Sequence, residues 1–71
     1  MKKWYIKERH NPQLGTYYVP MGQRTKVEAK AYERSIYGDN YMLPFDTQEE
    51  YESKILELKA EGKRVQEVQN G

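Results

Sequence analysis

The chain has 71 residues, which predicts a single small domain. It contains no cysteine, so a disulfide framework is excluded and a cytoplasmic location is favoured over secretion. It has no apolar run long enough for a membrane span or a signal peptide, and its net charge of +1 is far from the basic balance typical of nucleic-acid-binding domains.

The N-terminal residues predict an antiparallel hairpin. Residues 3–9 alternate in hydrophobicity as a strand does, and residues 11–15 contain the proline and glycine typical of a turn. Residues 16–21 then form the return strand. Because Pro20 lacks an N–H donor, we expect this strand to lie at an edge of the sheet.

A four-residue loop in this hairpin would pair Lys7 with Tyr18 and Ile6 with Val19. Burial should select this register, because it collects the more apolar side chains on one face. The face expected to be buried carries Trp4, Ile6, Tyr17, Val19 and Met21. The face expected to stay open carries Tyr5, Lys7, Arg9 and Tyr18.

A first helix is predicted after the hairpin. Residues 25–28, Thr-Lys-Val-Glu, have the form of a capping box, and the helix should run to about Tyr37. Gly38 would supply the left-handed conformation past its end. Residues 39–40 predict a turn, and residues 41–45 predict a short buried strand or an extended connector.

A second helix has overlapping capping boxes at residues 46–49 and 47–50. It should end at Glu61, with Gly62 just beyond it. Its predicted core side chains are Tyr51, Ile55 and Leu58. Leu56 lies well away from that stripe and is surrounded by glutamates and Ala60.

Residues 63–68 predict a last strand, and residues 69–71 should form a frayed tail. The predicted order is therefore β-β-α-β-α-β. We expect an α/β (α+β) fold in one domain over residues 1–71, a two-layer sandwich in which both helices cover one face of the sheet.

Catalysis is not expected from this composition. There is no cysteine, Ser35 and Ser53 fall on predicted helices, and His10 is the only histidine. A single imidazole at a turn has no visible orienting partner for acid–base work, and metal sites need three or more ligands. We therefore predict no enzymatic activity, no cofactor and no metal.

Binding of a macromolecule is the preferred hypothesis. Residues 1–37 carry a net charge of +5 and residues 38–71 a net charge of −4, so the surface should be polarised. A protein partner is slightly preferred, docking on the acidic second helix with Leu56 as its apolar anchor. The predicted contact residues there are Glu49, Glu52, Leu56 and Ala60. The alternative is that Leu56 packs against the first predicted helix, since two helices in one layer touch sideways.

Single-stranded nucleic acid is the second hypothesis. The open sheet face would stack bases on Tyr5 and Tyr18, while Lys7 and Arg9 hold phosphates. Such rings also cover open sheets without binding anything, because tyrosine has a high strand propensity. Exposed edge strands allow self-association, so we expect a monomer or a weak homodimer. The whole is typical of a compact accessory protein.

Overall fold

The computed structural model describes residues 2–25, 32–35 and 38–66. Within these ranges it contains four strands and one helix: β1 (Lys2–Asn11), β2 (Gly15–Thr25), β3 (Tyr32–Ser35), β4 (Gly38–Phe45) and α1 (Gln48–Ala60). All neighbouring strands are antiparallel, and they form one sheet in the order β2-β1-β4-β3. The result is a small α+β fold with a single described helix.

The predicted two-helix sandwich, of order β-β-α-β-α-β, is wrong. The first predicted helix conflicts with β3, because Tyr32–Ser35 pairs antiparallel with β4. The other residues of that helix, 26–31 and 36–37, lie outside the described residues. Residues 39–40, predicted as a turn, are paired within β4. Pairing with β4 satisfies the backbone hydrogen bonds of 32–35 between strands, and this tertiary context overrides the local helix signal.

The N-terminal hairpin is confirmed, but its predicted register is wrong by one residue. Glu8 pairs with Tyr18, and Lys7 pairs with Val19. The cause is the loop, which has three residues instead of four. The last pair joins Asn11 to Gly15, whose φ of +86° suits the left-handed position that closes a three-residue hairpin loop.

The side chain of Asn11 stabilises this short loop. Its Oδ1 accepts hydrogen bonds from the backbone N–H groups of Gln13 and Leu14, both at 2.8 Å. An asparagine that binds the backbone two residues ahead replaces a turn hydrogen bond. The tighter loop therefore shifts every subsequent pair of the hairpin by one position.

A β-bulge interrupts β2 at Met21. Ile6 pairs with Pro20 and Tyr5 pairs with Gly22, so Met21 is an extra residue on the β2 side. Gly22 adopts φ +72°, which is accessible to glycine without strain. The predicted edge position of the Pro20 strand is confirmed, since β2 is the terminal strand of the sheet order.

The observed register divides the sheet into two sides. Opposite partners in an antiparallel pair point to the same side, and neighbours along a strand alternate. The α1 side carries Trp4, Ile6, Glu8, Tyr18 and Phe45. The far side carries Tyr5, Lys7, Arg9, Tyr17, Val19 and Asn40. The predicted common face is therefore wrong, because Tyr17 and Val19 lie on the side opposite to Trp4 and Ile6.

Helix α1 packs on its side of the sheet through Tyr51. The ring centroid of Tyr51 lies 5.1 Å from that of Trp4 and 6.5 Å from that of Phe45. The Tyr51 hydroxyl accepts a hydrogen bond from the backbone N–H of Gly22 at 3.1 Å. Ile6 beneath this layer is fully buried. Aromatic packing thus fastens the helix to both β1 and the bulge of β2.

The predicted ends of this helix are confirmed. Thr47 is the N-cap and accepts a hydrogen bond from the backbone N–H of Glu50 at 3.2 Å, so the second of the two overlapping boxes is used. Gly62 has φ +77°, and the N–H of Lys63 reaches the carbonyl of Leu58 at 2.9 Å. These are the features of a Schellman C-terminus.

After the helix the chain returns to the outer edge of β2. The N–H of Tyr18 donates to the carbonyl of Arg64 at 2.9 Å, and the N–H of Gln66 donates to the carbonyl of Tyr18 at 2.8 Å. This parallel bridge at Val65 is what the structure shows of the strand predicted at residues 63–68. Residues 67–71, including the predicted frayed tail, lie outside the described residues.

Candidate functional site

The exposed side of α1 carries the four contact residues predicted from the sequence. Tyr51 and Leu58 face the sheet and are buried, whereas Leu56 is 67% exposed. At about 100° per residue, Leu56 lies nearly opposite Leu58. Glu49, Glu52 and Ala60 are exposed on the same side as Leu56. We call this group of four residues the Leu56 surface.

Carboxylates surround the leucine with defined geometry. Glu52 accepts a hydrogen bond from Gln48 Nε2 at 3.1 Å, which orients it along the helix. Glu57, outside the Leu56 surface, pairs with Lys54 Nζ at 3.2 Å. An exposure of 67% is inconsistent with the alternative that Leu56 packs within the domain. An apolar side chain among carboxylates can therefore contact a partner that supplies cations around an apolar pocket.

The predicted sheet surface is not assembled as expected. Tyr5, Lys7 and Arg9 share the far side, but Tyr18 lies on the α1 side. Tyr5 is also only 7% exposed, so its ring is not available as an open stacking platform. The prediction that the Tyr5 and Tyr18 rings stay open on one face is wrong, and its cause is the one-residue error in register.

Tyr18 occupies a partly buried position on the α1 side. Burial, and then the nearby Glu8 carboxylate, raise the pKa of its phenol above the usual value. Glu61 raises this pKa further, and Lys54 acts in the opposite direction. Tyr18 is therefore part of the contact between sheet, helix end and returning chain.

The far side of the sheet carries a row of four side chains that the sequence did not predict: Arg64, Tyr17, Arg9 and Asn40. Tyr17, Arg9 and Asn40 are direct register partners across β2, β1 and β4. Arg64, from the segment after α1, joins them from the β2 edge. The guanidinium carbons of Arg9 and Arg64 lie 5.6 Å and 5.5 Å from the centroid of the Tyr17 ring. The row depends on the true register and on the return of residues 63–66, and neither has a local sequence signal.

Asn40 in this row has an unusual environment. It is only 8% exposed, and its Oδ1 atom is buried without a hydrogen-bond partner. Buried polar atoms normally have a partner, because an unpaired acceptor keeps the full cost of desolvation. The amide therefore lies beside Arg9 with unused hydrogen-bonding capacity.

His10 has partners that the sequence did not reveal. Its Nε2 lies 2.6 Å from Glu8 Oε1, and its Nδ1 lies 3.0 Å from Thr16 Oγ1. The Tyr41 ring meets the imidazole edge-on, at a centroid distance of 5.4 Å. His10, predicted to be an isolated imidazole at the turn, is therefore oriented by these three contacts. It borders an open depression of about 310 Å³ that also includes Asp39.

The described ranges 2–25, 32–35 and 38–66 contain no group of metal ligands and no helix that could span a membrane. No three histidine, aspartate or glutamate side chains there converge as metal ligands. The helix found there is neither long enough nor apolar enough to cross a bilayer.

Comparison with known proteins adds no relative from which a function could be transferred. No protein-family model, no curated protein and no solved structure matches this chain.

Proposed function

We propose that this protein is a non-enzymatic binding module that docks on a protein partner through the Leu56 surface. The observation that supports the proposal is the 67% exposure of Leu56 on a helix whose opposite side is buried against the sheet. Burial of a leucine side chain in a partner pocket gives about 1.5–3 kcal/mol, which is enough for an interface anchor.

Charge defines the kind of partner. Glu49 and Glu52 lie on the same side of α1 as Leu56, and both are exposed. Carboxylates at the rim of an interface steer a partner of opposite charge and suppress partners of like charge. The partner should therefore present lysines or arginines around an apolar pocket.

The helix is a suitable platform for such a contact. Its N-terminus is capped by Thr47 and its C-terminus is closed at Gly62, so the Leu56 surface is held on a regular element between two defined ends. Ala60 lies one turn beyond Leu56 and has a small side chain, which lets a partner approach the helix backbone closely. Docking then requires little ordering of the helix itself.

The test compares Leu56→Asp with Leu14→Asp as baits in host lysate treated with nuclease. Leu14 is 59% exposed in the hairpin loop, so it provides the same substitution at a second exposed leucine. A captured protein counts as a partner only if the parent and Leu14→Asp retain it and Leu56→Asp does not. Titration of that purified partner should show binding weakened about thirtyfold by Leu56→Asp.

A charge-matched pair of double variants tests the steering. Glu49→Gln with Glu52→Gln should weaken binding and reduce its salt dependence, because rim charges act mainly on association. Glu57→Gln with Glu61→Gln removes the same charge from the same chain segment and should have a smaller effect. The proposed function would be refuted if the two double variants weakened partner binding equally. It would also be refuted if Leu56→Asp bound the partner as tightly as the parent.

Single-stranded nucleic acid is the less supported alternative. Lys7 and Arg9 share a side of the sheet, but Tyr5 is buried there and Tyr18 faces the other way. Its test is a labelled oligonucleotide at low salt, where phosphate contacts give binding that weakens steeply as salt rises. Binding that is lost in Lys7→Gln and Arg9→Gln variants would favour it over the protein partner.

A further inference from the structure

The row formed by Arg64, Tyr17, Arg9 and Asn40, on the far side of the sheet, brings two positive charges to one aromatic ring. Two guanidinium groups converge on the Tyr17 ring, with carbon-to-centroid distances of 5.6 Å and 5.5 Å. The structure gives neither arginine a carboxylate partner among residues 2–25 and 38–66. Two like charges at one ring repel each other, and an aromatic face offsets this only in part.

Asn40 supplies a second and independent observation. Its Cα is the direct partner of the Arg9 Cα, so the two residues are cross-strand neighbours on the far side of the sheet. Asn40 is 8% exposed, and its Oδ1 has no hydrogen-bond partner. The unpaired atom is an acceptor, so it can take a hydrogen bond from the Arg9 guanidinium and orient that group beside a bound anion.

From these observations we infer that the row is a binding site for a phosphate-type oxyanion. The planar guanidinium group donates paired hydrogen bonds that match phosphate oxygens, and a dianion offsets both positive charges at once. Lys7 lies on the same side of the sheet, two residues from Arg9, and adds to the positive potential. Tyr17 is 7% exposed and acts as the buried floor on which the arginines rest.

The row also limits what can bind. The two guanidinium groups at the Tyr17 ring place the site between Arg9 and Arg64, toward the β2 edge. A single phosphate or phosphate monoester fits this description without any need for base stacking. The inference is independent of the Leu56 surface, and it shares Arg9 and Lys7 with the nucleic-acid alternative.

The test is an NMR titration of the ¹⁵N-labelled chain with inorganic phosphate and with phosphoserine at pH 7.5. Sodium chloride at matched ionic strength is the reference. We expect saturable shifts at the amides of Arg9, Tyr17, Asn40 and Arg64 with both phosphates and not with chloride. Shifts with free phosphate alone assign the site to the inorganic ion, and shifts with phosphoserine extend it to phosphate monoesters.

Variants distinguish a site from general charge attraction. Arg9→Gln and Arg64→Gln should each weaken phosphate binding about tenfold, the equivalent of one charge-assisted hydrogen bond. Lys63→Gln removes one positive charge from the residue next to Arg64, and it should change the affinity for phosphate less than twofold. Arg9→Lys keeps the positive charge and the packing of the aliphatic stem but loses the paired N–H donors. This variant should therefore bind phosphate more weakly while remaining folded.

Two outcomes would overturn the inference. The first is a linear response to phosphate that chloride reproduces at equal ionic strength, which would reduce the row to a surface potential. The second is equal weakening by Lys63→Gln and Arg64→Gln. Either result would mean that Arg9 and Arg64 only pack on Tyr17 and help to hold residues 63–66 against β2.

Discussion

Trp4 of β1 and Tyr51 of α1 pack ring against ring, with centroids 5.1 Å apart and planes tilted by 41°. Tyr51 is 8% exposed, and its hydroxyl also accepts the N–H of Gly22 at the bulge of β2. One side chain therefore joins the helix to two strands. In a chain of 71 residues, where the core is small, such a contact is a large part of the net stability.

Two substitutions at Tyr51 separate its ring from its hydroxyl. Tyr51→Phe keeps the ring packing but leaves the Gly22 N–H without its partner, which should cost about 1–2 kcal/mol. Tyr51→Ala removes the ring and should cost about 3–5 kcal/mol, close to the whole stability of a domain this small. Urea denaturation followed by tryptophan fluorescence measures both. Equal losses for the two variants would show that the ring contact contributes nothing.

Gly38 should be far less tolerant of substitution than Gly15. Both have positive φ, +124° and +86°, so alanine is strained at either position. A Cβ at Gly38 would in addition meet the backbone of the neighbouring strand, overlapping the carbonyl oxygen of His10 and lying 2.9 Å from its carbonyl carbon. A Cβ at Gly15 would meet nothing within 4 Å.

The expected cost of Gly15→Ala is thus about 1–2 kcal/mol from backbone conformation alone. Gly38→Ala should cost several kcal/mol more, because β1 and β4 must separate to admit the methyl group. Chemical denaturation of both variants checks this order. A Gly38→Ala protein as stable as Gly15→Ala would mean that the approach of β4 to His10 is looser than described.

The elements of this fold that are predictable from the sequence are those whose signals are local. Helix α1 was predicted because Thr47 and Gly62 mark its ends by cap chemistry, which acts within a few residues. The hairpin was predicted from its alternation and its turn residues. Its register was missed, because Asn11 shortens the loop by one residue and Met21 forms a bulge, and neither effect can be counted from a hydrophobic pattern.

The errors in the candidate sites have the same origin. A shift of one residue in pairing moves every side chain of a strand relative to its neighbour strand, so Tyr18 was assigned to the wrong side. The helix predicted up to Tyr37 is wrong because Tyr32–Ser35 pairs with β4, and β4 in turn pairs with β1, which is distant in the sequence. The residues of the Leu56 surface were placed together correctly, since helical periodicity alone determines which of them share a side.

Tyr18 should make stability depend on alkaline pH. Burial and the Glu8 carboxylate raise the pKa of its phenol above the usual value of about 10. Above pH 10 the unfolded chain therefore releases a proton that the folded protein still holds. The contribution to stability is complete below about pH 10 and is lost as pH rises through the higher pKa of the folded state.

The measurement is the free energy of unfolding in urea at pH 8, 10 and 11 for the parent and Tyr18→Phe. The parent should lose more stability between pH 10 and 11 than Tyr18→Phe does. Tyr41→Phe, which removes an exposed phenol, serves as the control for losing one of the seven tyrosines. Parallel pH curves for the parent and Tyr18→Phe would contradict the raised pKa.

Asn40→Val should stabilise the isolated protein. The buried Oδ1 atom has no partner, so the amide carries a desolvation cost that valine avoids, and valine also suits a central strand. We expect a gain of about 1–3 kcal/mol in the free energy of unfolding, measured by urea denaturation in a buffer without phosphate. Phosphate should narrow this gap, because Asn40 Oδ1 can orient Arg9 toward the bound anion in the parent, whereas valine cannot, so the parent gains more stability from phosphate binding. A loss of stability in Asn40→Val without phosphate would instead show that the amide is satisfied in the folded protein, which would remove one of the two observations behind the oxyanion site.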